Sequence, residues 1–338
     1  MDMKELNYIV AIADAGSISA AAEKLFMAQS SLSQALSLYE SELGTPIFVR
    51  TSRGVRPTPS GSVFISHARQ ILNHYRLAQS EVWDIEGLNG GRVEFGISSF
   101  RGTYLLPPAL KQFHASYPQI QVEITELDSW DLEDRILKGL LDIALIAAPS
   151  EKIRHSCDFL MKDEIVLAAS VNHPVMAFAH PCGQHSGEYW IDLKDTKDFT
   201  YILGSPGTVL GKMLRRELLK AGVEPAAASS QVSAPMAAAM ARAGLGLAAT
   251  YRSCIPAHES AQYLKIGRKG VFLDLALIYP SGGYRSKAAA ALGEVLRQTY
   301  LGLERETRQI YLSKKRTFPS FSHQSWKTSF SLFLFYFI

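Results

Sequence analysis

The chain has 338 residues, 47% hydrophobic and 20% charged, with a formal net charge of +3. That balance excludes a disordered or fibrous chain and allows two or more domains, each with its own core. From residue 301 onward six Lys or Arg stand against two Asp or Glu, so the positive excess belongs to the C-terminal tail and not to the body.

The three cysteines, Cys157, Cys182 and Cys254, include no C-x-x-C pair. They argue for a reducing compartment and against a disulfide framework. The opening MDMKELNYIV lacks a basic stretch followed by an apolar run, and no window of about 18 apolar residues occurs. A cytoplasmic protein is expected.

Leu6, Ile9, Val10 and Ala13 follow the i, i+3, i+4, i+7 spacing of an amphipathic helix. AGS at 15–17 breaks it, and Ser19 is the candidate N-cap of the next helix, AAAEKLF. Two short helices around a Gly turn suggest a helix-turn-helix. The following helix is expected from about Gln29 to Leu43, with Leu32, Leu36, Tyr39 and Leu43 on one face. Gln29 and Ser33, and Ser30 and Gln34, stand four apart elsewhere on its surface, extended by Ser37. That face is charge-free. Gln can pair with adenine N6/N7, Ser suits several base edges, and small residues let a helix approach them closely. From this stretch alone, a Ser-rich solvated helix explains the pattern as well.

GTPIFVRTSRGVRPTPSG at 44–61 reads as a strand (Ile47 to Val49), a turn at Ser52 to Gly54, and a second strand. Arg50, Arg53 and Arg56 recur every third residue on this hairpin, placed for phosphates or a minor groove. Thr58 then caps a long helix with Pro59 at its first position. Phe64, Ala68, Ile71, Tyr75, Ala78, Val82 and Ile85 form a heptad seam, the mark of a dimerisation helix. EGLNGGR at 86–92 ends that helix as a hinge.

From 91 to about 300 strand-like and helical segments alternate, which predicts an α/β sheet covered by helices. Ligands in such folds sit at strand ends. SSFRGT at 98–103 follows the first strand and opens a helix, so Ser98, Ser99 and that helix N-terminus suit a carboxylate or other anion, with Arg101 as a potential cation. Ser129 follows a later strand, and GSPGT at 204–208 supplies Ser205 and Thr208.

GLGLAA at 244–249 follows a helix and precedes a strand, the reverse of a dinucleotide fingerprint. GTVLGKM at 207–213 lacks one spacer of a phosphate loop and has Met213 in place of Ser or Thr. His180, Cys182 and His185 lie in a Gly/Pro/Ser-rich loop, where an exposed polar loop is favoured over a metal site for want of a fourth ligand. No catalytic constellation stands out, so no enzyme, metal or cofactor is expected. The tail from 304, basic and then aromatic, ends in an apolar stretch too short to span a bilayer.

Residues 3–62 resemble the winged helix-turn-helix of LysR-type transcriptional regulators. AGSISAAAEKL, AQSSLSQALSLYESELGTPIF and VRTSRGVRPTPSG match in order and spacing. Gln34, Ala35 and Tyr39 depart from the family's common Arg or other polar residue, Gln and Leu. The resemblance implies base contacts at Gln29, Ser30, Ser33 and Gln34, and a wing at Arg50, Arg53 and Arg56. From 91 onward the match is architectural, with YPQIQVEI and ARAGLGLA as scattered motifs. It implies two α/β lobes like a periplasmic-type solute-binding protein, with Ser98, Ser99, Arg101, Ser129, Ser205 and Thr208 lining an effector cleft.

The expected fold is α/β overall. A winged helix-turn-helix spans 1–58, and a linker and dimerisation helix with hinge spans 59–90. A two-lobed effector domain spans 91–303, with lobe I at about 91–160 and 268–303 and lobe II at about 161–267. An atypical tail follows at 304–338. The chain is expected to cross between lobes near Ala147 to Met161 and near Leu264 to Val271. The expected function is sequence-specific, effector-modulated transcriptional regulation. The alternative is a small-molecule binding protein with a degenerate DNA-binding domain. Expected partners are double-stranded DNA carrying a pseudo-palindromic operator, a small-molecule effector, further copies of the chain as homodimer or homotetramer, and RNA polymerase.

Overall fold

The computed structural model describes residues 2–314, except 53, 87–89, 151–152, 154–156, 184–186, 257–260 and 281–283. Arg53, His185, part of the hinge and the tail from 315 therefore lie outside the described residues.

Helix α1 (Met3–Ala15) opens with a reciprocal capping box between Asp2 and Glu5 and ends at Gly16, whose φ of 62° closes the turn. It buries Leu6, Ile9 and Ile12, with Ala13 partly buried against the same core, so Ile12 takes the place expected for Val10. Helix α2 (Ile18–Lys24) is capped by Ser17, not Ser19. The left-handed Gly16 reverses the chain at once, which makes Ser17 the first extended residue before the helix and leaves Ser19 in its first turn. Helix α3 (Gln29–Leu43) buries Leu32, Leu36 and Tyr39, while Leu43 at its end stays exposed. The Tyr39 phenol hydrogen-bonds the Glu5 carboxylate, so the polar atom that distinguishes it from Leu is satisfied by α1.

Strands β1 (Phe48–Thr51) and β2 (Gly54–Pro57) pair antiparallel, with Arg50 opposite Val55. The hairpin starts one residue later than expected because the Ile47 and Phe48 amides both donate to Glu40 of α3 (2.7 and 3.0 Å). Gly54 has φ 126°, and a Cβ there would lie 2.2 Å from the Gly16 carbonyl oxygen. The wing is thus docked onto the α1–α2 turn, to which the Val55 amide also donates at 2.8 Å.

Helix α4 (Pro59–Ile85) starts at Thr58, whose hydroxyl accepts from the Gly61 amide at 2.8 Å. Of its heptad seam, Phe64 packs on the N-terminal core and Ala68 is buried. Ile71, Tyr75, Val82 and Ile85 are exposed, so the unpartnered part of the seam is its second half. Two polar clamps hold α4 on the second domain. Arg76 donates to Asp142 (2.7 Å) and to the Gly139 carbonyl (3.0 Å). Asp84 accepts from the Lys287 amide (2.8 Å) and the Tyr284 hydroxyl. Burial raises the Asp142 carboxyl even though Arg76 opposes it.

The second domain runs β3 (Gly91–Ile97), α5 (Ser99–Ser116), β4 (Ile120–Glu126), α6 (Ser129–Leu137), β5 (Ile143–Ala147), β6 (Cys157–Ser170), β7 (His180–Pro181), β8 (Tyr189–Ile191) and β9 (Thr200–Gly204). It continues with α7 (Val209–Lys220), β10 (Ala226–Val232), α8 (Ala234–Arg242), β11 (Ala248–Tyr251), β12 (Ala261–Ile266), β13 (Val271–Ile278) and α9 (Lys287–Lys314). Helix α9 therefore continues beyond 303 into the segment expected as tail. The main sheet has the order β4-β3-β5-β13-β6-β12-β8-β7, with β11 also paired to β6, and β9 and β10 form a separate parallel pair.

β6 links the two lobes. Its first half pairs with β13 from Cys157↔Ile278 to Ile165↔Val271, and its second half pairs with β11 and β12. The first crossing thus extends beyond the expected Ala147–Met161 segment, within a continuous strand. One apolar core packs Phe95, Phe113 and Leu292 in the first lobe; another packs Tyr201, Leu214 and Leu264 in the second and takes in Phe100 and Ala147.

Candidate functional site

Helix α3 places Gln29, Ser30 and Gln34 on its exposed surface with Ser33 half-buried beside them. Ser37 turns its hydroxyl back onto the Ser33 carbonyl (3.0 Å), so it is occupied within the helix. Its N-cap is Ala28, which supplies no side-chain acceptor. The first-turn amides of α3 consequently remain open to an external acceptor such as a phosphate. Arg50 and Arg56 are exposed on the adjoining hairpin.

A second concave site lies between the lobes. It is a cavity of about 300 Å³ lined by residues at the starts of α5, α6, α7 and α8. The caps are Ser98, Asp128, Thr208 and Ser233, and all four line the cavity. Only Thr208 is spent on capping, accepting from the Gly211 amide at 3.0 Å. Ser98, Asp128 and Ser233 make no side-chain cap bond. The cavity thus gathers helix amides and uncommitted polar side chains, with Phe100 and Tyr251 as apolar wall.

Ser98, Ser99, Ser129, Ser205 and Thr208 all line this cavity. Ser129 is buried and accepts the Ala147 amide at 3.1 Å, so its oxygen already holds strand β5 to α6. Arg101 is not on the lining. It is buried, donates to Asp163 at 3.0 Å and lies 3.8 Å over the Tyr251 ring. Burial opposes its charge, but the nearby Asp163 carboxylate helps hold it protonated. Asp163 also accepts from the Ser253 hydroxyl (2.6 Å) and amide (3.2 Å). The expectation of Arg101 as a cleft cation is corrected: one turn of α5 carries it behind the wall, where it joins the lobes. Burial pushes the neighbouring Cys254 thiol up to about 12, which leaves it unreactive.

Asp128, Gln231 and Ser233 were not anticipated from the sequence, although Asp and Ser immediately before helical runs are N-cap signals. Asp128 is the charged group of the lining. Partial burial raises its carboxyl, repulsion from Asp131 adds to this, and Lys212 opposes it. Lys212 itself reaches across from α7 to lie 3.4 Å over the Trp130 ring on α6, bridging the two lobes at the cavity edge.

His180 stacks on Trp190 at 4.5 Å, and no group of three or more metal-type ligands occurs among the described residues. Cys157, Cys182 and Cys254 are unbridged. No described helix is long and apolar enough to cross a membrane.

Residues 3–62 match the bacterial regulatory helix-turn-helix protein, lysR family, and residues 86–300 match the LysR substrate binding domain. The HTH-type transcriptional regulator YcgK of Bacillus subtilis is 38% identical over 168 residues, covering 50% of this chain and 52% of YcgK. The nitrogen assimilation regulatory protein nac of Escherichia coli is 32% identical over 175 residues, covering 52% and 57%. The chain thus spans little more than half the length of these curated relatives. The fold is shared with full-length OxyR of Pseudomonas aeruginosa (TM-score 0.62, 24% identity, covering 88% of this chain and 98% of OxyR). It is also shared with full-length CbnR complexed with its target DNA (TM-score 0.57, 19% identity, covering 88% and 100%). With family matches over 3–62 and 86–300, which cover most of its length, this chain belongs to the lysR family of bacterial regulatory helix-turn-helix proteins.

Proposed function

We propose that this protein is a cytoplasmic, DNA-binding transcriptional regulator whose hold on its operator is set by a small molecule in the inter-lobe cavity. The observation that carries the reading is the exposed, charge-free face of α3, flanked by the wing arginines and lacking a cap of its own. Gln29, Ser30, Ser33 and Gln34 read bases, and Arg50, Arg53 and Arg56 hold the backbone. The exposed half of the α4 seam suits a second copy of the chain, which would place two recognition helices on a pseudo-palindromic site. A dimer of such dimers and a contact to RNA polymerase complete the reading.

The cavity supports an effector with two ends. Helix N-termini and hydroxyls receive its anionic or acceptor group, and Asp128 receives a donor. The clamps from α4 to Asp142, Gly139, Tyr284 and Lys287 give lobe movement a mechanical path to the DNA-binding domain.

The test selects duplexes from a random-sequence pool with the full-length protein, at controlled salt, and repeats it with Gln29→Ala. Enrichment of a two-fold-related sequence by the parent, relaxed at one base position of each half-site in the variant, is expected. No enrichment, or identical enrichment by both, refutes the reading. A thermal-shift screen of metabolites then tests the cavity, with Ser98→Ala and Thr208→Ala expected to weaken the response to any hit.

A further inference from the structure

Phe26 stands in the turn between α2 and α3, three residues before Gln29. The Phe26 amide donates to the Glu23 carbonyl (3.1 Å) and the Met27 amide to the Ala22 carbonyl (3.0 Å). This is a Schellman closure of α2, and it requires a left-handed residue at the position Phe26 occupies. Its φ is 52°. Glycine fills that position without strain, whereas an aromatic residue is held there against its backbone preference. Nothing among the described residues compensates, because Phe26 is 97% exposed, the highest value among the large exposed apolar residues described. Its neighbours Leu25 and Met27 both pack against the N-terminal core.

The turn leads directly into the start of α3, which in helix-turn-helix docking is the end that meets base edges. We infer that Phe26 is a DNA-contacting residue: its ring packs against apolar DNA surface at the rim of the major groove, beside the bases read by Gln29 and Ser30. The inference rests on the DNA-binding reading above. Two apolar surfaces are available there, the thymine 5-methyl group and the deoxyribose. Either would desolvate a ring that the free protein leaves in water.

The probe is the duplex selected by the parent protein from a random pool. Phe26→Gly relieves the backbone strain, so its melting temperature should equal or exceed the parent's. Its affinity, and that of Phe26→Ala, should fall by about tenfold or more, as loss of a buried Phe contact implies. The salt dependence should stay unchanged, because no phosphate charge pair is lost. Phe26→Tyr should stay within about threefold, since it keeps the apolar ring. Replacing thymine with deoxyuridine separates the two surfaces. A methyl contact makes the parent lose affinity on the substituted duplex while Phe26→Gly does not. A sugar contact leaves both indifferent. A folded Phe26→Gly that binds within twofold of the parent overturns the inference. A parent that selects no sequence at all refutes the DNA-binding reading instead.

Discussion

Helix α3 presents its polar side chains on one continuous surface, with repeats of four residues, whereas the cavity borrows short groups of residues from four helix starts between Ser98 and Ser233. The first surface depends on one helix staying folded. The second depends on two lobes staying in place. What holds them is set back from the lining: Arg101 from α5, Asp163 from β6 and Ser253 after β11. A surface written along one element is altered one contact at a time, while a site assembled from several elements can be altered from behind.

The largest expected effect comes from that buried cluster. Asp163→Ala leaves Arg101 charged and unpaired in the interior, and should lower the unfolding free energy in urea by about 3–5 kcal/mol. The double replacement Asp163→Leu with Arg101→Met should recover most of the loss. If Asp163→Ala is as stable as the parent, the cluster does not hold the lobes and the contrast fails.

On the open surface, Gln29→Ala should forfeit about 1–3 kcal/mol of discrimination at one base position, read in competition binding, and leave protein stability unchanged. Ligand binding in the cavity should follow Asp128. Its carboxyl titrates above the usual carboxylate range, so a ligand that donates to it binds well at higher pH and is lost as pH falls through that raised value. Asp128→Asn should flatten the profile, and a profile unchanged in that variant would remove Asp128 from the site.

Lys212→Ala removes the bridge to Trp130. It should cost about 0.5–1 kcal/mol, measured by thermal unfolding in low and high salt. The smallest change is expected from Arg50→Ala, which should weaken binding almost equally on all sequences and reduce the salt slope by about one. A sequence-selective loss would make Arg50 a base reader.

The first sixty residues were largely legible in order because their signals are local. Amphipathic spacing, the Gly16 turn and the Thr58-Pro59 start each depend on neighbours within a few positions. Errors there were small, as when Gly16 shifted the α2 cap from Ser19 to Ser17. Strand β10 has no comparable local signal. AAASSQV in β10 shows no alternation and only one β-branched residue, Val232, and its strand state comes from pairing with β9.

Sequence alone determined the winged domain, the α/β alternation and five of the polar residues on the cavity wall, because N-caps and strand ends announce themselves locally. Only the tertiary structure decided that Arg101 belongs to a buried ion pair and not to the cleft, since the direction of a side chain one turn into a helix depends on what packs against that helix. It also decided that Asp128 and Ser233, far apart in the chain, share one cavity, because β6 and β13 carry the chain between lobes and bring their helix starts face to face.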